Sequence, residues 1–358
     1  MSKHIHNFSS GPCILPIEVM KKAAEAVIEY NNSGLSIIEM SHRSPEFEDV
    51  MAQSFAIFRE LMNVPDDYDV MFLQGGASLQ FTMIPQNLLP QGAKAGYVNT
   101  GVWATKAMKE AKMFGEVAEL ASSKDANFNF IPKDYNIPKD LKYLHLTSNN
   151  TIYGTQYKSF PETNIPLICD MSSDIMSKPV NISKFDLIYA GAQKNIGPAG
   201  VVIVIAKKGI FGKTGRAIPT MMDYQTHIDN ASMFNTPPCF SIYTCLLTMQ
   251  WLKKLGGVVT IEKMNEKKAQ LLYDEIDSNP LFVGTAAVED RSLMNVTFVM
   301  KDASLEKEFL TLAEDRGLSG IKGHRSVGGF RASIYNAMPI ESVQALVDAM
   351  RDFAKAKA

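Results

Sequence analysis

Apolar positions change their spacing along the chain, and the changes mark out its architecture. Over residues 16–30 they recur at helical spacing, and Asn31-Asn32-Ser33-Gly34 ends the run, which predicts a first helix. Ser44 followed by Pro45 predicts a second start, with Ser44 as the cap and Pro45 in the first turn. Phe47, Val50, Met51, Phe55, Phe58, Leu61 and Met62 then lie on one face until Pro65. From residue 69 the pattern becomes short, mainly apolar runs at 69–73, 95–98, 143–147, 166–170, 186–190 and 201–206. A helix is expected to start after Gly75-Gly76, and another covers 102–114. Apolar strands that alternate with helices predict an α/β fold, with a mainly parallel sheet covered on both faces. Beyond Gly256-Gly257 the helices turn charged, at 261–277, 304–316 and 339–353, with strands at 291–300 and 329–335. That is the pattern of a smaller α+β unit.

The 358 residues carry 36 Lys+Arg against 38 Asp+Glu, a net charge of −2. Such a balance argues against a nucleic-acid partner, which calls for a basic surplus. The longest aliphatic run, 201–206, is far too short to span a bilayer, so no membrane association is expected. Residues 1–12 are polar and do not read as a signal peptide. The four cysteines (Cys13, Cys169, Cys239, Cys245) form no CxxC pair and no metal-binding spacing with histidine. They read as reduced thiols of a cytoplasmic protein, with no metal expected.

Chemistry is sought at the carboxyl ends of the strands, where the crevice of such a sheet lies. Gly212-Lys213-Thr214 is no P-loop, because Lys207 stands where the first glycine belongs, and no GxGxxG follows any strand. The informative stretch is Ala190-Gly191-Ala192-Gln193-Lys194-Asn195-Ile196-Gly197-Pro198-Ala199-Gly200. Here a strand runs into small residues and a single lysine. Lys194 reads either as a strand-end lysine snorkelling to water or as a Schiff-base lysine. Asp170 ends the strand at 166–170 and precedes Lys194 by 24 residues. A carboxylate and an amine facing one crevice are what a pyridine cofactor needs. Gly75-Gly76-Ala77-Ser78 could cradle a phosphate at a helix start, or be a plain turn. Trp103 could stack on a ring, or be a core aromatic. His42-Arg43 and His324-Arg325, with Arg331 six residues on, are anion-binding candidates or solvated surface pairs.

Taken with Phe8-Ser9-Ser10-Gly11-Pro12, Ser41-His42-Arg43, residues 189–200, Met233-Phe234-Asn235-Thr236-Pro237-Pro238, Lys322-Gly323-His324-Arg325 and residues 331–339, the chain resembles the phosphoserine aminotransferases. These are fold-type I pyridoxal-phosphate enzymes of the class-V family. The resemblance extends over essentially the whole chain. It implies a homodimer with shared active sites, a large cofactor-binding domain at 17–257, and a small domain from 1–16 and 258–358. It implies that Lys194 binds pyridoxal 5'-phosphate and Asp170 pairs with the ring nitrogen, while Trp103 stacks and Thr151 bonds near the ring hydroxyl. Ala77, Ser78 and Gln193, with Asn235 and Thr236 of the second subunit, would hold the cofactor phosphate. Ser10, Arg43 and Arg331 match amino-acid substrate positions, Arg331 being the α-carboxylate clamp. His42, His324 and Arg325 match a side-chain anion site. The substrates implied are glutamate and 3-phosphohydroxypyruvate, with phosphoserine as product. Some members carry arginine where this chain has Ser78, which leaves more of the phosphate recognition to the other cations. Another acidic amino acid as substrate, a desulfurase or alanine–glyoxylate-type role, a non-catalytic phosphate binder and a nucleotide-dependent oxidoreductase are the alternatives.

Overall fold

The computed structural model describes residues 4–325 and 327–357. A seven-stranded sheet runs in the spatial order Tyr68–Leu73, Val202–Lys207, Leu187–Gly191, Leu167–Asp170, Leu144–Thr147, Lys94–Asn99, Glu116–Ser122. Every pairing is parallel except the two made by Val202–Lys207. The physical reason lies in residues 192–201, too short a link to carry a crossover helix, so the chain must turn straight back. The lysine sits inside that turn.

Side chains along Val202–Lys207 alternate between two cores, as a strand's period of two requires. Ile203 and Ile205 pack with the helices Ile17–Ile28, Pro45–Met62 and Cys239–Lys254 on one face. Val202, Val204 and Ala206 pack with Gly76–Leu88 and Val102–Ala111 on the other. Ser44 caps the Pro45–Met62 helix as expected, its Oγ accepting the Phe47 N–H at 3.4 Å.

Several elements escaped the sequence pattern, two of them for clear physical reasons. Glu116–Ser122 is an edge strand, half-covered and carrying exposed Glu116 and Glu119, so it shows no continuous apolar run. Cys239–Lys254 is apolar almost all round because it packs against both Pro45–Met62 and Ile17–Ile28, which hides the helical stripe. The Val102–Ala111 helix also stops three residues short of the expected 114.

A second sheet, antiparallel, is built from Phe282–Gly284, Asn295–Met300 and Phe330–Ser333. Its aromatic core of Phe282, Phe298, Phe309, Phe330 and Phe353 includes Phe8 from the far end of the chain. His6–Asn7 pairs in parallel with Leu318–Ser319, and Phe8 O accepts the Ser333 N–H at 3.2 Å. The amino-terminal segment is thereby laid along the strand that carries Arg331.

Gly197 closes the lysine turn against the Cys239–Lys254 helix: a Cβ there would lie 2.6 Å from Cys245 Sγ. Gly197→Ala should lower unfolding stability by about 1–3 kcal/mol, the usual cost of overpacking. Thermal unfolding of Gly197→Ala alone and with Cys245→Ala measures it. Removing the sulfur should return part of the loss, and a fully tolerated single variant would contradict the packing.

Candidate active site

Thr147 registers with Asp170, and Asp170 with Tyr189, so two neighbouring strands end side by side and the third runs two residues further, to Gly191. Asp170 is the last residue of its strand, and Lys194 follows the end of the next within the tight turn. The Ala192 N–H bonds back to Val201 O at 2.9 Å, and the Ile196 and Gly197 N–H groups both reach Ala192 O. Cys13 Sγ donates to the Lys194 carbonyl, and Cys13 N–H to Gln193 O. The backbone of the lysine is therefore held from both sides.

Both charged side chains are buried, Asp170 at 5% exposure and Lys194 at 9%. The snorkelling alternative is thereby excluded. Burial pushes the Lys194 ammonium down to about 8, and the Asp170 carboxylate pulls it only part of the way back. Burial raises the Asp170 carboxyl, against hydrogen bonding from Ser172 and the charge of Lys194. A buried carboxylate in this position calls for a further cationic partner. Asp174, also buried, accepts from Gln156 Nε2 at 3.1 Å and from Ser148 Oγ. It lies one turn past Asp170 and was not singled out in the sequence, where nothing distinguishes it from a turn residue.

Lys194 Nζ donates to Thr151 Oγ1 at 2.7 Å. Arg331 donates through Nη1 to Thr151 O at 3.3 Å and through Nη2 to Ser10 Oγ at 2.8 Å. Tyr335 OH, two residues beyond the strand of Arg331, donates to Ser10 O at 2.8 Å. Lys194, Thr151, Arg331 and Ser10 thus form one contiguous constellation from four distant parts of the chain. Trp103 stands beside it, its ring centroid 5.9 Å from Lys194 Nζ. Its indole Nε1 is buried without a partner among the described residues, as is Arg331 Nε.

Gly75 and Gly76 take left-handed backbone, φ +81° and +60°, which turns the strand into the Gly76–Leu88 helix. A Cβ at Gly75 would strike Leu79 Cδ2 at 2.5 Å, so the turn needs glycine there. No side chain caps this helix, which leaves its first N–H groups, with Ala77 and the exposed Ser78, open to an anion. Gln193, half-buried, folds back over Gly191. Asn235 and Thr236 lie near the end of the strand Tyr68–Leu73, where Thr236 O accepts Gln74 Nε2 at 3.1 Å. His324 is near Arg331 and Arg325, and burial together with their charges holds its imidazole below the ordinary value. His42 and Arg43 lie on the turn before Pro45–Met62, and no recorded hydrogen bond or ion pair joins them to Lys194, Asp170 or Arg331 among the described residues.

These residues fit pyridoxal phosphate. The buried amine can bind the aldehyde, the buried carboxylate suits a protonated ring nitrogen, and the uncapped glycine turn suits a phosphate.

The fold and this site define a class-V aminotransferase, and residues 5–346 match the family profile "Aminotransferase class-V". A phosphoserine aminotransferase of Flavobacterium psychrophilum is 58% identical over 348 residues, 97% of this chain and 98% of that protein. The phosphoserine aminotransferase of Bacillus circulans subsp. alkalophilus superposes with a TM-score of 0.97 at 46% identity, covering all of both chains. The pyridoxal-phosphate-bound enzyme of Trichomonas vaginalis superposes at 0.93 with 37% identity, covering 97% of this chain and all of that one. The chain belongs to the phosphoserine aminotransferase family, with pyridoxal phosphate as its cofactor.

A lysine at about 8 leaves about one amine in ten neutral at pH 7, against fewer than one in a thousand for an ordinary lysine. Only the neutral amine attacks an aldehyde. Cofactor-free protein should therefore bind added pyridoxal phosphate at a rate that climbs with pH up to about 8 and levels off above it. Stopped-flow absorbance checks this. A rate still climbing toward about 10.4, the ordinary lysine value, would remove burial as the controlling influence.

Proposed function

We propose that this protein transfers the amino group of glutamate to 3-phosphohydroxypyruvate, giving 2-oxoglutarate and O-phosphoserine in serine biosynthesis. The same site chemistry extends to the phosphorylated threonine derivative of pyridoxine biosynthesis. The observation that carries the reading is the buried Lys194–Asp170 pair, bordered by Arg331, His324 and Arg325. Two anions per substrate match such a cationic rim.

Pyridoxal phosphate supplies an electron-accepting ring at this position. Asp170 holds a proton on the ring nitrogen. Lys194 would serve, as a neutral amine beside Cα of the substrate, to carry the proton away from that carbon and back. Its lowered pKa matches this task near neutral pH. Arg331 grips the α-carboxylate, its fork fixed by Ser10 and by Thr151, which also positions Lys194. Trp103 stacks on the ring. Ala77, Ser78 and Gln193, with Asn235 and Thr236 of a second copy, hold the cofactor phosphate. His42, Arg43, His324 and Arg325 receive the second anion.

The homodimer is supported by Ile17, Met20, Ile28, Leu35 and Ile38, large apolar side chains left exposed near the amino terminus. Division into a large domain at 17–257 and a small one from 1–16 and 258–358 is supported by the separate aromatic core around Phe298. A cytoplasmic location is supported by four cysteines that are all free. No helix among the described residues is long and apolar enough to cross a membrane.

The test is the absorption spectrum of the cofactor-loaded protein. Phosphoserine should convert the lysine-bound form to the pyridoxamine form, while serine at the same concentration leaves it unchanged. A spectrum indifferent to phosphoserine would reject the substrate. In Asp170→Ala the conversion rate should fall by at least about a hundredfold, in line with loss of a charge-stabilising group, while cofactor is still bound. Near-normal turnover would sink the role of Asp170.

A further inference from the structure

Lys106 is exposed on the Val102–Ala111 helix, three positions after Trp103 and hence on the same helix face. Its Nζ lies 4.7 Å from the Trp103 ring centroid, and Lys194 Nζ lies 5.9 Å from that same centroid. One indole is thus shared by the reactive amine and a second lysine. Glu110, four positions on, is the partner such a lysine ordinarily takes. Glu110 instead receives Thr82 Oγ1 at 3.4 Å. Among the described residues, no recorded ion pair includes Lys106, Arg325 or Arg331.

The His324 imidazole is depressed first by burial and then by the positive charges of Arg331, Arg325 and Lys106. Val102, at the start of the Lys106 helix, and Val327, two residues past Arg325, pack against one buried cluster of Phe128, Ile152 and Tyr153, so that helix and that loop meet. The Val102–Ala111 helix, the loop holding His324 and Arg325, and the strand Phe330–Ser333 therefore bring four basic side chains to one mouth. Such a cluster repels itself until an anion occupies it.

We propose that Lys106 binds the phosphate of the substrate together with His324 and Arg325, and favours a doubly charged over a singly charged side chain. This rests on the phosphorylated substrate proposed above. The same ammonium attracts a dianion with twice the Coulomb energy it offers a carboxylate. Loss of the lysine should therefore separate the two amino donors, which the α-carboxylate grip of Arg331 treats alike. Being exposed on a helix, Lys106 can be replaced without disturbing the core.

The experiment follows the two half-reactions of the cofactor-loaded enzyme separately, with O-phosphoserine and with glutamate, by cofactor absorbance. In Lys106→Gln the phosphoserine concentration giving half-maximal rate should rise about fivefold, the upper range for a partly exposed charge contact. For glutamate it should rise only about twofold, because half the Coulomb energy gives the square root of that factor. Lys106→Arg should restore phosphoserine binding, and added salt should shrink the gap between native and Gln proteins. Equal changes for both donors, or none, would overturn the proposal. A native enzyme that fails to respond to phosphoserine would instead overturn the substrate reading, so the two failures are distinguishable.

Discussion

An amine and a carboxylate buried in one crevice constrain everything around them. Removing either charge from water costs several kcal/mol unless partners compensate, and Ser172 N–H and Thr151 Oγ1 supply only part of that. The remaining cost appears as a lysine pushed down to about 8 and a carboxyl pushed up. A ring nitrogen to be protonated and an aldehyde to be bound answer both at once. The destabilised site is thus matched to its cofactor.

Holding that pair open requires rigid walls. Parallel strands deliver Thr147 and Asp170 to adjacent strand ends in register. The return of Val202–Lys207 forces the turn that presents Lys194, and Gly197 lets it pack on the Cys239–Lys254 helix. Behind it, Asn195 Oδ1 accepts Asn336 N–H at 3.1 Å. Buried Lys268 gives its protons to the carbonyls of Ile334 and Tyr335 at 3.0 and 2.7 Å. The Asn195 bond ties the lysine turn to the segment that follows Arg331, and Lys268 braces that segment from the Gly257–Ser278 helix, so the reactive amine and the carboxylate-binding fork keep a fixed relation.

Much of the central sheet was legible in the chain because its strands are buried on both faces and read as mainly apolar runs. Glu116–Ser122 was not, since an edge strand covers little area and keeps its glutamates. Lys194, Asp170 and the Gly75-Gly76 turn stood out because each combines an unusual residue type with a strand end. Arg331 stood out as an anion-binding candidate, but its place at the α-carboxylate, and any role for Thr151 and Ser10, came only through resemblance, as nothing in their local spacing says that they touch. Asp174, Tyr335, Lys106 and Lys268 carry no local signal at all. A polar residue in a loop and one in a buried network look alike in one dimension.

Local spacing of apolar and polar residues determined the elements, the alternation that makes a covered parallel sheet, and the strand-end positions where chemistry can sit. Those properties depend on neighbours within a few residues. Tertiary structure decided the rest. It determined that Lys194 is dry and not snorkelling, that residue 10 meets residue 331, and that Lys106 shares the Trp103 ring with Lys194. Desolvation and Coulomb interaction depend on distance in space, and Phe8, packed into an aromatic core hundreds of residues away along the chain, is what brings Ser10 within 2.8 Å of Arg331.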